Sequence, residues 1–455
     1  MGTELVTTRG ALLVAALLFV PATLHGATLT ADPNANPGEP GYYRDLVNQL
    51  QPGDTLVLPA GTYEERLNLS NLQGTAEAWI TITGPESGPP AIITTQSNCC
   101  NAVQLGSSWF VAIKHLTIDS NSVAVATAID GINAKGGITH DILIEDCTLV
   151  GLSYHQQTVG ISTKSTAWNW TVRRNTILEA GTGMYFGNST GSSPFIASII
   201  ENNLVVDTIG YNIQIKYQNP YTQPAGLPAG PHRTIIRNNV LIKSKAQSEW
   251  PPSRVDGPRP NLLVGGFPGT GPGSQDLYEI YANFVFMNPN EALFQGSGRM
   301  TIHGNVFVAN GGSAVRLQNH DLPLKLAHVY SNTIYAADYG IRFASSAQED
   351  DAIVGNLVFA ATPISGSYTA GNLRDNLTDT VANAGSHVEN PSLALGQMDF
   401  YPLPGGAQGS PLDLSSFAAD THFDLDFNGD SKGDFQFRGA YAGEGANPGG
   451  NSTRT

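Results

Sequence analysis

Charge is what this chain has least of: Asp, Glu, Lys and Arg together make 13% of its 455 residues, about half the usual share. With 50 Gly and 28 Pro, that scarcity excludes long helical bundles and coiled coils, which need charged helix formers and few breakers. The few charges are also lopsided. A formal net charge of −15 speaks against nucleic acid or an anionic membrane surface as partner. Cysteine is nearly absent, and Cys99, Cys100 and Cys147 do not form a disulfide framework, being odd in number with two adjacent. No CxxC or HExxH spacing offers a metal site. Buried or loop thiols are expected, with a bridge from Cys147 to one of the adjacent pair left open. Long apolar runs are missing as well. Ala11 to Val20 is unbroken but too short to span a bilayer. With Arg9 before it and Gly26-Ala27 after it, this run reads as a secretory signal over residues 1–27. A secreted or periplasmic protein without a membrane span is therefore expected.

What the chain does have is a repeat. An apolar residue, two variable residues, Asn, one residue and a second apolar residue recur as Val172-Arg-Arg-Asn175-Thr-Ile177 and Ile200-Glu-Asn-Asn203-Leu-Val205. The same frame returns at Asn239, Asn283, Asn305, Asn332 and Asn356, and in worn form at Asn376. Upstream, Leu116 and Cys147 occupy the Asn slot. From Asn175 the intervals are 28, 36, 44, 22, 27, 24 and 20 residues. A basal period of this size with β-branched alternation is the signature of a solenoid, one coil per repeat. Coils would stack about 4.8 Å apart. An Asn at the same bend of each could then bond its neighbours, which explains a regular amide where a lone buried one would be costly. A further strand follows each Asn, as in Gly183-Met-Tyr-Phe186, Asn212-Ile-Gln-Ile215 and Ala314-Val-Arg-Leu317.

These coils resemble the right-handed parallel β-helix of the pectate-lyase-like superfamily. The opening, Gln51-Pro-Gly-Asp-Thr-Leu-Val-Leu-Pro-Ala-Gly-Thr-Tyr63 and then Trp79-Ile-Thr-Ile82, is similar to the first coils of chondroitinase-B-like and alginate-lyase-like β-helices. The resemblance covers residues 40–380 and implies an all-β, single-stranded solenoid, with Tyr42 to Leu50 as a short N-terminal capping helix. The organisation expected is a signal over 1–27, a β-helix over 28–384 and a Gly/Pro/Asp-rich cap and tail over 385–455. A monomer is expected. Because the superfamily hosts lyases, hydrolases, epimerases and non-catalytic proteins, the fold alone does not choose the chemistry.

Departures from the repeat point to a binding face. Insertions at Tyr217 to Pro231, Ser244 to Pro260 and Phe267 to Asp276 swell single coils, and such insertions usually decorate one face. Residues 160–260 hold ten Lys/Arg against five acids, so the middle is locally +5 in an acidic chain. If Ile213 and Ile215 point inward, Gln214, Lys216 and Gln218 point out, as do Lys164, Arg316, Gln318 and Arg342, with His320 just beyond. Tyr185, Tyr217 and Phe294 would offer apolar surface for sugar rings. A polysaccharide, polyanionic if the basic stretch is used, is the partner this pattern suggests.

A uronate lyase removes the C5 proton, neutralises the carboxylate and expels the 4-linked sugar, which calls for a base of lowered pKa beside a cation. Lys216 is the expected base, with Arg233 or Arg237 on the carboxylate and Gln214, Tyr217, Gln218, Glu291, Arg316, Gln318 and His320 holding sugars. Resemblance to the chondroitinase-B-like family implies a Lys/Arg pair with calcium, but no matching acid cluster lies beside Lys216. Calcium is suggested elsewhere, by Asp424-Leu-Asp426-Phe-Asn428-Gly-Asp430, half of a calcium loop with Phe435 at position 12. Hydrolysis needs two carboxyls about 5 to 10 Å apart, and the outward columns carry only Glu291. A uronate C5-epimerase would use similar proton chemistry, and a non-catalytic glycan-binding or envelope β-helix would show the same face without a tuned base.

Overall fold

In a computed structural model, residues 26–94, 101–120, 130–309 and 311–450, with Gly2, are described. The apolar run at 11–20, Cys99 and Cys100 lie outside them. The chain winds into a right-handed parallel β-helix with three long parallel sheets of 14, 11 and 12 strands, in which each strand pairs with the equivalent strand one coil on. The first sheet contains the strands that end just before the repeat Asn, such as Arg233–Arg237 and Leu277–Tyr281. The second contains those just after it, such as Val240–Ile242 and Phe284–Phe286. The third contains the further strand of each coil, such as Thr182–Phe186, Ile213–Ile215 and Leu262–Val264. Alternation along each strand sends one set of side chains inward, so Ile236, Leu241, Ile213, Ile215, Phe294 and their counterparts join one continuous core. Among the described residues no helix is long and apolar enough to cross a membrane.

The bend between the first and second sheets is held by the Asn side chains. Asn239 shows the pattern: its Oδ1 accepts from the backbone N and the Nδ2 of Asn203, at 3.1 and 2.9 Å. Its own Nδ2 donates to Asn283 Oδ1 at 3.0 Å and to Ile200 O at 2.9 Å. Every polar atom of the amide is thus bonded inside the core. The ladder runs from Asn175 to Asn376. In each of these eight coils the residue before the Asn has φ between +51° and +62°, the left-handed conformation that turns the chain. Cys147 heads the ladder as a free buried thiol, its N–H donating to Asn175 Oδ1 at 3.0 Å and its pKa pushed up to about 12 by burial.

The helix near the start is shorter than predicted, Tyr43–Val47, and Tyr43 and Val47 enter the core cluster. At the other terminus the tail runs along the sides of the coils. Met398, Phe400, Phe427 and Tyr441 cover Phe284, Phe286, Val308 and Phe359 on the second sheet. Leu412, Leu414 and Phe417 cover Tyr330, Ala352 and Val354 on the first. Gly355 is required at this seam, with φ +62° and the Leu412 Cδ1 only 2.5 Å from where a Cβ would lie.

Removing a central rung should be costly. Asn283→Ala strands the Asn239 N–H and amide, and is expected to lower unfolding stability by about 3 kcal/mol. Asn376→Ala, at the half-buried end of the ladder, should lose only about 1 kcal/mol. Equal shifts in the denaturant midpoints of the two variants would contradict the ladder's role.

Candidate functional site: a cationic cleft on the third sheet

The outward positions of the third sheet form one row, kept in line by the register: Gln104, Asn133, Ser162, Tyr185 and Gln214, then Leu263, Gln295, Arg316 and Arg342. Loops rise on both sides of this row. On one side the segments around Gly191, Asn219, Gly266 and Pro323 stack in succession, through Asn219 N–Gly191 O and Gln218 N–Gly266 O, both 2.8 Å. Gly265 is needed there, because the Tyr217 backbone N lies 2.2 Å from the position of a Cβ. On the other side the 244–260 insertion folds back on an earlier coil. Gln156 receives it with both ends of its amide, accepting from Asp256 N at 2.7 Å and donating to Gly257 O at 3.2 Å.

Between these walls lies a cleft of about 790 Å³, lined by Arg66, Lys135, Lys164 and Arg259 against a single carboxylate, Asp130, with Gln104, Asn133, Tyr185, Tyr211 and Gln214 among the remainder. Four cations and one acid in a chain of net charge −15 make a local field that attracts anions.

At its centre, Lys164 Nζ sits 3.8 Å from the centroid of the Tyr185 ring. Burial lowers the Lys164 pKa, opposed by the charge of Asp130. Asp130 is only 5% exposed. It accepts from Asn133 Nδ2 at 2.8 Å, Ser162 Oγ at 2.9 Å and Val159 N at 3.0 Å. Burial raises its pKa, while Lys164 and these bonds pull the other way. Burial also raises the Tyr185 pKa, reinforced by Tyr211, Tyr217 and Asp321 nearby. An amine that gives up its proton more readily than usual, beside a phenol that holds its own, can remove one proton and deliver another. Fixed cations around them can neutralise a carboxylate.

The sequence-predicted residues divide. Gln214 lines the cleft. Lys216 follows on the same face, its Nζ 3.5 Å from Asp321 Oδ2 and 4.9 Å from the Tyr217 ring centroid. His320 Nδ1 lies 3.3 Å from the same Asp321 oxygen. Arg316 keeps to the outward row further along, 3.9 Å from Glu291, whose Oε1 also accepts from Ala292 N. Gln318 is half-buried beside them. Arg233 and Arg237, in contrast, belong to the first sheet and do not join Lys216. Arg237 is bound to Glu201 at 2.6 Å and to the Tyr281 hydroxyl at 2.9 Å, and Arg233 pairs with Glu279. The expected Lys216–arginine pairing is therefore corrected. Gln218 is buried rather than outward, donating to Phe195 O at 3.1 Å, and Phe294 is a core residue. Gln218 stands beyond the end of the strand Ile213–Ile215, where simple alternation lapses, whereas Phe294 obeys the alternation, level with the inward Leu262 and Val315.

The half calcium loop does not assemble into a site. Asp426 turns inward and accepts from Asn428 N, Asp430 N and Ala442 N, at 2.8, 2.9 and 3.2 Å, while Asn428 bonds Asn447. Asp424 meets this turn only through its backbone, Lys432 N donating to Asp424 O. Among the described residues no cluster of three or more His, Cys, Asp or Glu is placed to hold a metal ion. Arg66, Lys135, Asp130, Tyr211 and Asp321 escaped the sequence reading. They stand at corners or in loops where no periodicity marks them, although the register of Asn133 and Ser162 would have located Asp130.

No protein-family profile matches the chain, and no curated protein matches it. Among solved structures, a lacto-N-biosidase from Eubacterium ramulus (the selenomethionine derivative) aligns over 78% of this chain and 68% of its own, with 14% identity and TM-score 0.50. The A-module of a mannuronan C-5 epimerase from Azotobacter vinelandii aligns over 74% and 93%, with 15% identity and TM-score 0.46. A pectate lyase aligns over 83% and 87%, with 13% identity and TM-score 0.47. At such identities the likeness is one of fold. The chain shares with them a right-handed parallel β-helix.

Asp130 gives a pH test of the cleft. Burial lifts its pKa from the ordinary 3.8, so above that value the folded chain retains a proton that the unfolded chain releases. Stability contributed at this site then falls as pH rises. Asp130→Asn is expected to gain on the wild type as pH rises above about 4. A difference in denaturant midpoint that stays constant as pH rises would contradict this environment for Asp130.

Proposed function

We propose that this protein is an exported, carbohydrate-active β-helix that binds an acidic, uronate-containing polysaccharide in the third-sheet cleft and cleaves it by β-elimination. The observation that carries this reading is the lining of the cleft: Arg66, Lys135, Lys164 and Arg259 against Asp130 alone. Those cations suit a chain of carboxylates, and the amide side chains of Gln104, Asn133 and Gln214 suit sugar hydroxyls. A solved structure that matches at TM-score 0.50 is a lacto-N-biosidase, which supports a glycan as the ligand. A single lining carboxylate does not supply the two that hydrolysis uses.

In this reading Lys164, not Lys216, is the base. Its amine takes the C5 proton of a uronate whose carboxylate is neutralised by Arg259 or Arg66. The C5–H electrons form the C4=C5 bond, the C4–O bond breaks, and Tyr185 protonates the departing oxygen. Burial supports both assignments, since it disfavours the charged amine and the charged phenolate alike.

The test exposes the purified protein to polygalacturonate, alginate and glycosaminoglycans while following the ultraviolet absorbance of unsaturated uronate. Product from one of them is expected, with kcat lowered about 10³-fold in Lys164→Ala and KM raised in Arg259→Gln. C5 inversion seen by NMR without absorbance would make the protein an epimerase. Binding without either would make it a non-catalytic glycan receptor, and absence of binding would reject the acidic-glycan reading.

A further inference from the structure

Lys243 follows the second-sheet strand Val240–Ile242 and is only 2% exposed. Its Nζ donates to two backbone carbonyls, Gly210 O at 2.7 Å and Arg259 O at 2.8 Å. Among the described residues no carboxylate lies within ion-pair distance of it. A buried amine without a carboxylate partner is an expensive way to close a turn, which directs attention to what the two carbonyls hold.

Arg259 ends the insertion that begins immediately after Lys243, so the amine joins the base of that loop to itself. Asn288 Nδ2 supports the same carbonyl at 2.9 Å. Gly210 precedes Tyr211, whose ring lies 5.8 Å from the Arg259 guanidinium. Tyr211 and Arg259 both line the cleft. The same loop is also fastened beside Gly210 through Arg254, whose carbonyl accepts from Gln156 N at 2.8 Å and whose Nη1 donates to Ser153 O at 3.2 Å. Asp207 and Glu291 attract the Lys243 charge and Arg259 repels it. Burial dominates and brings the amine to about 7, where the neutral form still has two N–H groups for its two acceptors.

We propose that Lys243 is a positioning residue for the cleft: by clamping the carbonyls of Gly210 and Arg259 it fixes Tyr211 and the Arg259 cation that meets the glycan carboxylate. The ligand in this statement rests on the acidic-glycan reading; the clamp itself does not. The experiment compares wild type, Lys243→Met and Arg259→Gln as full-length protein, by hydrogen exchange of segments 208–212 and 244–260 and by calorimetric titration with oligogalacturonate and oligoalginate. In Lys243→Met, exchange of both segments should accelerate at least about tenfold and binding should weaken about tenfold. Arg259→Gln should weaken binding similarly and leave exchange at the wild-type rate, and the double variant should be no weaker than the worse single one. Wild-type exchange in folded Lys243→Met would overturn the proposal, as would accelerated exchange with undiminished binding. If Lys243→Met does not fold, Asn288→Ala, which removes the second support of Arg259 O, should move both readouts the same way by a smaller factor, and no movement would count against the clamp. If the wild type binds neither oligosaccharide, the glycan reading fails, and the exchange rates alone decide the clamp.

Discussion

The amide ladder is the interaction on which the rest of this molecule depends. A parallel coil has no local turn to set its register, because strands that pair are 20 to 44 residues apart along the ladder. Hydrophobic alternation fixes which face is inward but tolerates a slip of two residues. The Asn side chain removes that freedom, since its oxygen must meet both the N–H and the amide of the Asn one coil away. A slip would strand several buried donors at once, each worth about 1 to 3 kcal/mol. With register set at one corner, the other corners are free to vary, and the insertions lie there.

That division of labour also explains where the charges went. The basic stretch of residues 160–260 is not one surface. Arg173, Arg174 and Arg237 stand on the first sheet and meet Glu145, Asp146 and Glu201 in a chain of ion pairs, and Lys243 is buried behind the cleft. Only Lys164 and Arg259 from this stretch line the cleft, where they are joined by Arg66 and Lys135 from outside it. Cations in the first group are balanced by acids one coil away, while those in the second have Asp130 alone. Local excess of one sign, rather than the number of basic residues in a window, is what marks a face for anions.

Much of this was legible in the sequence, and the limit has a physical cause. The Asn frame gives the bend and the inward residues of the coils that carry it, because each follows from a repeated short-range pattern. Gln214 and Tyr185 were legible as outward because they lie inside regular strands, and Lys164 because it directly follows one. Gln218 was misread because parity holds only while the backbone stays extended, and it lies past the end of a three-residue strand; Phe294 keeps the inward parity of Ile213 and Leu262, so strict alternation would have placed it in the core. Arg233 and Arg237 were misassigned for another reason: they are outward on their own strand, but the strand belongs to a different sheet from Lys216. A coil has three faces, and distance along the sequence does not say which two residues share one.

The same geometry makes the cleft an assembly of distant parts. Gln156 and Asp256 are 100 residues apart yet bonded directly, because the insertion after Lys243 reaches back along the axis. A solenoid core contributes a straight, rigid floor, and its outward row repeats at the coil spacing. It cannot by itself enclose a ligand or withdraw a lysine from water. Enclosure comes from the loops, and with it the shift in Lys164 and Asp130, since burial is the first cause of both. The chemistry of the floor residues is therefore set by the walls. Substitution in the loops should tune reactivity without touching the ladder, and loss of a rung should loosen the fold before it alters the cleft.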